Sequence, residues 1–486
     1  MPQTNNLGLT TEETLALAQG LQPGPRKATS AIKTGITSAS YLYGYPLEAP
    51  SKKLYFIEDA LRRRIPRVLN ETGGVAAHWK QITSINAGKV KAAVAAGAVA
   101  TALTLTTAEK SVNYKTLNQY LTYDDESRIF GRKFEDVPQL GMLANLQSLM
   151  IQEDRYDFGG NITALGPPTT VTVADGASSG GTFATTSYYI AVSALTIHGW
   201  QNAAAGRIGG VDAPDETTAT SCNSGVAFSA TANHTLTVTW TDIPNAFAYN
   251  IYCGTTSFAA AVYIGTAFSN SITLTSPTSY NGYATGTGVP NTADQTADAN
   301  AYNGVVQLMN ASSSGAYYKN LAGVALTSDG SGGVVEIETM LQSIWNNYRV
   351  SPSVIFINAQ EAKSIKKLTI GSSTSNAVRI QINESDKNKF TAGSAVNTYF
   401  SPYQEQLIEL KTSVHVPPGK IIAIGETVPY PNAETPNNLE MELQQEYYGE
   451  MFARTTRVTP IGVTMIGALK LYLPGACGII TGCGTT

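Results

Sequence analysis

WKQITSINAGKVKAAVAAGAVATALTLTTAEKSVNYKTLNQYLTYDDE, residues 79–126, combines polar ends with an uncharged centre. That centre, residues 92–108, holds 17 residues, many of them Ala, Gly and Thr. A membrane-spanning helix needs about 20 strongly apolar residues, so we reject a span here. The polar flanks instead predict a hairpin that feeds a strand, followed by a helix that begins near Asp124-Asp125-Glu126.

A long helix is predicted next, from Val137 to about Asp154. Asp136 and Gln139 resemble a capping box at its start. Its apolar residues recur at helical spacing, at Leu140, Leu143, Leu146 and Met150. We therefore expect one continuous helix with a single packed side.

A second amphipathic helix has the clearest periodicity in the chain. Its apolar residues follow the i, i+3, i+4, i+7, i+8, i+11 pattern, at Ile337, Met340, Leu341, Ile344, Trp345 and Tyr348. Residues 354–357 (VIFI) then predict a buried strand, and Asn358 predicts the cap of a short helix over 359–368. Further strands are predicted at 406–410, 420–424 and 461–473, so the flanking chain mixes α and β.

Charge divides the chain. Residues 166–300 contain one basic residue, Arg207, and seven acidic residues, whereas the flanks are nearly neutral. Gly, Ser, Thr, Ala and Asn dominate this middle stretch, which predicts a separate domain with loose borders near 166–168 and 282–299. We call residues 166–290 the insert and the rest of the chain the host. Such a guest in a host loop is expected to be removable, so deleting 167–282 should spare assembly.

The insert is predicted to be all-β, with short strands separated by polar turns. Its run T-V-T-W-x-D-I-P-N-A-x-x-Y-N-I-Y, residues 237–252, resembles immunoglobulin-like and fibronectin type III modules. In such modules a Trp and alternate tyrosines fill the space between two sheets. The resemblance implies that Trp240, Tyr249 and Ile251 form the core, where Cys222 and Cys253 are more simply two buried thiols than a bridge.

No pattern in the sequence indicates catalysis, a cofactor or a metal. The four histidines (His78, His198, His234 and His415) are far apart in sequence, and Cys477 and Cys483 lack a second pair. The loop 329–333 (DGSGG) fits neither G-x-G-x-x-G nor the Walker pattern. We expect a non-enzymatic protein with no cofactor.

Overall composition excludes several classes of protein. The 486 residues are 43% hydrophobic and 14% charged, with a formal net charge of -4, which fits neither a wholly basic nucleic-acid binder nor an acidic disordered chain. Four cysteines cannot form a disulfide scaffold in this length. Residues 1–22 lack the early basic residue of a secretory signal, so we expect synthesis in the cytoplasm.

The N-terminal part is locally basic, with 14 Lys or Arg against five acidic residues between Arg26 and Lys115. A solvated helix face is one interpretation; a surface that meets a polyanion or another subunit is the other. No aromatic residues interleave the basic run, so stacking on single strands is not indicated. The candidates for an assembly or DNA-facing role are Arg26, Lys27, Lys33, Lys52, Lys53, Arg62, Arg63, Arg64 and Arg67.

The host resembles the major capsid proteins of tailed phages, with the Hong Kong 97 fold that encapsulin shells share. The stretch 79–126 is similar to that family's extended loop, and the helix from Val137, followed by Gly159-Gly160, to its spine helix. The helix 337–348 with SPSVIFINAQEAKSIKKL resembles the axial domain, and LYLPGACGII the apolar strand near the C-terminus. The order of these pieces along the chain makes the resemblance.

The resemblance implies an α+β capsid fold with an all-β sandwich inserted. Its expected parts are an N-terminal arm (1–51), an extended loop (52–115), the spine helix with the start of the peripheral domain (116–165), the insert (166–290), and the axial domain with the remaining peripheral domain (291–486). The extended loop would lie over a neighbouring subunit. Only about fifty residues precede it, which favours a separate scaffolding protein over a cleaved scaffolding region.

The same resemblance implies a virion protein assembled in the host cytoplasm. Pentamers and hexamers would form an icosahedral shell around double-stranded DNA held without sequence preference, with scaffolding and portal proteins as partners and no membrane. The insert would project outward and bind host surfaces or glycans, or decorate the shell. An encapsulin-type compartment and a surface adhesin or tail component are the alternatives.

Overall fold

The computed structural model describes residues 59–70, 73–85, 90–131, 136–204, 214–280, 288–311, 314–330, 332–370, 397–403, 405–427, 437–454 and 457–484. The expected N-terminal arm lies outside these residues, and so do Arg26, Lys27, Lys33, Lys52 and Lys53. Across the described ranges, no helix has both the length and the apolar character that crossing a bilayer takes.

The strands, in chain order, are β1 (Arg67–Leu69), β2 (Ala76–Ile85), β3 (Leu105–Asn113), β4 (Lys115–Asp124), β5 (Thr172–Asp175), β6 (Ser187–Leu195), β7 (Thr220–Ser221), β8 (Phe228–Ser229), β9 (Leu236–Thr239), β10 (Ala248–Gly254), β11 (Val262–Ala267), β12 (Ser271–Leu274), β13 (Tyr317–Asn320), β14 (Val354–Ile357), β15 (Thr398–Ser401), β16 (Gln406–Thr412), β17 (Ile421–Ile424), β18 (Leu439–Met451), β19 (Val458–Leu471) and β20 (Gly478–Thr481). The α-helices are α1 (Asp125–Gly131), α2 (Val137–Gly159), α3 (Ile197–Ala204), α4 (Val305–Met309), α5 (Val335–Tyr348) and α6 (Ala359–Ile370).

The hairpin predicted around residues 79–126 is present as β2 and β3, which form an antiparallel pair of their own. Its base is anchored to the host, since buried Trp79 donates a hydrogen bond from Nε1 to the Leu471 carbonyl at 3.0 Å. The uncharged stretch is not a helix: residues 92–104 belong to no helix or strand, and β3 begins at Leu105. The chain then continues into β4 and α1, as the sequence indicated.

α2 packs on the four-stranded sheet β1-β18-β19-β4. Asn145 on its buried side donates a hydrogen bond to the Ile461 carbonyl at 3.0 Å. The predicted capping box is wrong: Asp136 is the N-cap residue but its side chain makes no capping hydrogen bond. Pro138 in the first turn starts the helix instead, because its fixed φ suits that position and it has no N–H to satisfy.

α2 also runs beyond the predicted end at Asp154, to Gly159. The final turn is buried and faces the insert. A Cβ on Gly159 would lie 2.6 Å from the Phe247 ring, so only glycine allows this approach. The helix thus ends where the host core and the insert meet.

The insert contains two sheets that share one buried apolar cluster. One has the order β11-β10-β6-β7, with β8 also pairing with β6, and the other has the order β12-β9-β5. Val192, Val238 and Ile251 are among the residues of this cluster. Alternation along β9, buried at Leu236 and Val238 and half-buried at Thr237 and Thr239, places apolar residues between the sheets.

The third large element is a six-stranded mixed sheet of order β13-β20-β17-β14-β16-β15. The run VIFI in β14 is buried at every position, because Ile355 and Ile357 face α5 and α6 while Val354 and Phe356 face the main host cluster. α5 buries the residues that its periodicity predicted, Ile337, Met340, Leu341 and Ile344. Asn358 caps α6 as expected, since its Oδ1 accepts the Gln360 N–H at 3.1 Å.

The insert is fused to the host core rather than tethered to it. One cluster contains Phe158 and Phe356 of the host together with Ile197, Trp200 and Phe247 of the insert. Polar contacts continue this boundary, with Asn320 Nδ2 donating to Asn270 Oδ1 at 2.8 Å. The two parts therefore share buried apolar surface that neither would keep alone.

Candidate assembly surface

The basic run Arg62-Arg63-Arg64 forms a 3-10 helix that lies against α2. Arg62 Nε is 2.8 Å from Glu153 Oε2, and Arg67 Nη1 is 2.5 Å from Glu153 Oε1. The Tyr447 hydroxyl also bonds Glu153, and its ring faces both guanidinium groups at 5.3 and 4.8 Å. One buried carboxylate thus holds two arginines and joins the segment 62–67 to α2.

Asp154 binds the backbone of the same segment. Its Oδ1 accepts the N–H groups of Leu61 and Arg62 at 2.9 and 2.8 Å. Its Oδ2 lies 3.6 Å from His415 Nε2, and His415 Nδ1 lies 2.9 Å from Gln201 Nε2 on α3. A series of polar contacts therefore runs from Leu61 and Arg62, through α2, to the insert.

Asp157 lies one turn further along α2, fully enclosed. It accepts a hydrogen bond from the Tyr302 hydroxyl at 2.7 Å. Burial raises the pKa of Asp157 well above its usual range, and nearby Glu153 raises it further. Burial likewise raises the pKa of Glu153, against the opposing charges of Arg67 and Arg62. The end of α2 therefore gathers three buried carboxyl groups, of which Glu153 is paired with two arginines.

The two remaining arginines of the predicted set that the structure describes, Arg63 and Arg64, also have carboxylate partners within the chain. Arg64 pairs with Glu409 and, at 2.9 Å, with Glu426. Arg63 pairs with Asp59 at 2.6 Å but keeps 63% of its side chain exposed. Intramolecular pairing thus offsets much of the local positive charge, and the assembly or DNA-facing role of these residues stays a prediction.

The segment that connects β2 to β3, with the start of β3, carries exposed apolar side chains. Val99 is 94% exposed and Leu103 64% exposed, and Val94 and Leu105 are also exposed. The hairpin pairs only with itself, so no other strand covers residues 90–104 within the described chain. These residues, 90–105, which we call the hairpin arm, offer an apolar surface that the described part of the chain does not bury.

A second exposed apolar surface lies at the far end of the β18–β19 hairpin. Tyr120 and Phe452 contact edge to face at 6.4 Å, and Met451 and Leu121 are exposed beside them. Arg454 pairs with Asp125, and Arg457 lies 3.5 Å from Glu126, so ion pairs flank the patch. Apolar centres with charged rims are typical of protein–protein contacts.

The predicted sandwich residues are all buried in the cluster between the two insert sheets: Trp240, Tyr249 and Ile251. The Tyr249 hydroxyl donates to Asp242 Oδ1 at 2.8 Å, and Asp242 also accepts a bond from Tyr318 of the host. Sequence inspection missed this role of Asp242, since a turn aspartate gives no signal of a distant partner.

The cysteines of the insert are held apart by a strand. In the sheet order, β10 and β7 flank β6, where Cys253 pairs with Ile190 and Ser221 pairs with Ala191. Cys222 follows Ser221 and is therefore beside Ile190 on its other side. All four cysteines are buried free thiols. Among the described residues, no group of His, Cys, Asp and Glu side chains could hold a metal ion.

No family model and no curated protein matches this sequence. Among solved structures, the capsid of a native GTA particle matches with a TM-score of 0.42 and 8% identity over 95% of this chain and 100% of that chain. The capsid of Myoviridae phage XM1 matches with a TM-score of 0.38 and 9% identity over 92% of this chain and 99% of that chain. The holo-SrpI encapsulin complex from Synechococcus elongatus matches with a TM-score of 0.37 and 8% identity over 95% of this chain and 97% of that chain.

These solved structures are capsid and shell proteins, the class that the sequence resembles. TM-scores of this size describe a loose likeness, so any functional proposal has to rest on the residues of this chain.

Proposed function

We propose that this chain is a major capsid protein, a structural and non-enzymatic subunit that self-assembles into an icosahedral shell enclosing double-stranded DNA. The observation that carries the proposal is the exposed apolar arm, residues 90–105, on a hairpin that pairs only with itself. Exposed apolar surface of this kind marks a site that a partner covers.

A second copy of the chain is the partner that this geometry favours. Each chain has both an arm and the apolar patch around Tyr120 and Phe452. The arm of one copy can therefore pack on the patch of another copy. Contacts between different surfaces of identical chains propagate around a ring when the rotation closes. Many modest contacts repeated by symmetry then stabilise a shell.

The hairpin that carries the arm is also anchored to the rest of the chain. Glu153 and Asp154 of α2 hold residues 61–67, which precede the hairpin. Trp79 anchors the first strand of the hairpin through its hydrogen bond to the Leu471 carbonyl. Preorganisation of this kind lowers the entropic cost of docking. An arm that served only as a solvent-exposed loop would not need buried anchors.

We further propose that the insert is an immunoglobulin-like domain on the outer surface of the virion. Inward projection would compete with packed DNA for space. Its few charges and its Thr-rich strands suit a decorating role or weak binding of host surfaces or glycans. Scaffolding and portal proteins complete the proposed partners, with assembly in the host cytoplasm.

The test is negative-stain electron microscopy of the purified protein with size-exclusion chromatography. The wild-type protein should form closed shells, or pentamers and hexamers, whereas Val99→Asp/Leu103→Asp should shift it to smaller species. Val226→Asp is the matched control, because Val226 is 64% exposed but lies in the insert. Its particles should resemble the wild type.

A wild-type protein that stays monomeric in every buffer, with or without a scaffolding partner, would rule the proposal out. An arm variant that assembles like the wild type would remove the observation on which the proposal depends. The content of native particles separates a virus from a compartment, since packaged DNA favours the first and a packaged enzyme the second.

A further inference from the structure

The exposed side of α6 carries the clearest basic patch among the described residues. Lys363, Lys366 and Lys367 are spaced i, i+3 and i+4, which places them on one face of the helix. Lys363 and Lys367 are exposed and Lys366 is half-buried. The opposite face buries Ile365 against the six-stranded sheet, so the lysines point away from the core.

These lysines differ from the arginines near the N-terminus. Arg62, Arg64 and Arg67 are each paired with carboxylates inside the chain. Within the described residues, no carboxylate lies within ion-pair distance of the three lysines. The charge of α6 is therefore available to a partner outside the described chain.

The three lysines contribute little to the stability of α6 itself. Its one acidic residue, Glu361, is buried and accepts the Gly419 N–H at 2.7 Å, so its carboxylate is turned toward the sheet. A cation near the helix C-terminus is favourable, which accounts for Lys367. Lys363 lies in the middle of the helix, and its like-charged neighbour at i+4 is unfavourable there.

We propose that the lysine face of α6, formed by Lys363, Lys366 and Lys367, binds the phosphate backbone of double-stranded DNA without sequence preference. Lysine ammonium groups on flexible stems contact phosphates as point charges. α6 contains no aromatic residue on which a base could stack, so a duplex backbone fits better than a single strand. The positive lysines and the negative phosphates attract each other, which favours DNA as the partner of this face.

This inference rests on the proposed shell function and adds a location to it. It places α6 on the inner surface of the shell and adds its three lysines to the residues predicted to face DNA. An exposed acidic surface of a second copy would also attract lysines, and the experiment below separates the two.

The test measures binding of a short fluorescent duplex by anisotropy, from about 50 to 200 mM NaCl. Each lost phosphate contact makes the slope of log K against log salt less steep by about 0.9. Lys363→Gln/Lys366→Gln/Lys367→Gln should therefore flatten the slope by about 2 to 3. Lys80→Gln/Lys110→Gln/Lys319→Gln, with three substitutions outside α6 and outside residues 90–105, should leave it unchanged.

A Lys→Arg version of the α6 triple keeps the charge and should retain the wild-type slope, which controls for misfolding. Equal slopes for the wild type and the Gln triple would overturn the proposal, as would a wild-type protein that binds no duplex at the lowest salt. A Gln triple that binds DNA normally but fails to assemble would also overturn it, in favour of a contact with a second copy. Micrographs of each sample report assembly separately, so failure of the shell function is recognised independently.

Discussion

The ammonium nitrogen of Lys420 lies 4.6 Å from the centroid of the Phe247 ring and donates a hydrogen bond to the neighbouring Ala246 carbonyl at 2.7 Å. Lys420 precedes β17 of the host, whereas Phe247 precedes β10 of the insert. A fully buried lysine is costly unless its proton and charge are satisfied, and here a ring face and a carbonyl of the other part of the chain satisfy them. The contact therefore joins host and insert at the point where their cores merge.

This lysine predicts a pH-dependent stability. Burial lowers the pKa of Lys420 from 10.5 to about 8, while Asp242 opposes the shift. Because the folded pKa is lowered, the unfolded chain binds more protons between pH 8 and 10.5, and stability is lost as pH falls through that window. A shift of this size corresponds to roughly 3 kcal/mol.

Lys420→Met should remove this dependence. Chemical denaturation at pH 7.5, 8.5, 9.5 and 10.5 gives the free energy of unfolding of both proteins. The advantage of the Met variant over the wild type should be largest at pH 7.5 and should shrink toward pH 10.5. A difference that stays constant with pH would mean that Lys420 keeps its ordinary pKa in the folded protein.

The merged core predicts that the insert cannot be removed, contrary to the expectation from sequence. Phe247 belongs to the cluster that also holds Phe158 and Phe356, whereas Trp240 belongs to the cluster within the insert. Phe247→Ala should cost about 3–5 kcal/mol and reduce shell yield, since it opens a cavity in the host core. Trp240→Ala should cost a similar amount but leave assembly intact, because the cavity lies between the insert sheets.

Size-exclusion chromatography and calorimetry of the two variants distinguish these outcomes. If Phe247→Ala and deletion of residues 167–282 both gave normal particles, the insert would be an independent guest after all. If Trp240→Ala alone abolished assembly, the sandwich would contribute to contacts between subunits.

Sequence patterns predicted the helices and strands that are determined by neighbouring residues. The spacing from Ile337 to Tyr348 predicted α5, and the VIFI run predicted β14. In both, the buried faces of the element require apolar residues at a regular spacing. The capping box at Asp136 failed because the same residue types also occur where the first turn begins with proline. The partners of Arg62 and Arg67 could not be predicted, since Glu153 and Tyr447 are brought to them only by tertiary packing.

The carboxyl of Asp157 predicts a second pH effect, of opposite sign. Burial and Glu153 raise its folded pKa, so it contributes stability at low pH that is lost as pH rises through the raised value. Asp157→Asn removes the charge while Oδ1 can still accept the Tyr302 hydroxyl. The variant should be more stable than the wild type at pH 8 and should lose that advantage near pH 4.

Thermal unfolding of both proteins from pH 4 to 8 measures how their difference in stability changes with pH. Asn145→Asp is a useful comparison, because it adds a buried carboxyl to the same helix and should be destabilising toward pH 8. Equal pH profiles for Asp157→Asn and the wild type would show that Asp157 ionises normally.

Cys222 and Cys253 should remain reduced under oxidising conditions. Cys253 pairs with Ile190 on one side of β6, and Ser221, which precedes Cys222, pairs with Ala191 on the other side. A whole strand therefore lies between them, and two strand spacings amount to about 9–10 Å. A disulfide needs a Cα separation under about 7 Å, so it would require the sheet to open. Burial also raises the pKa of Cys253 to about 12, which leaves little of the thiolate that attacks an oxidant.

Diamide treatment of native protein, followed by alkylation in denaturant and mass spectrometry, tests this. Both thiols should be alkylated after treatment of the native protein, whereas oxidation during unfolding should let them pair. Cys222→Ser provides the control, since it cannot form the bridge under either condition. A native protein that lost two hydrogens through a Cys222–Cys253 bond would show that β6 does not separate β7 from β10, and the strand order of the insert would have to be revised.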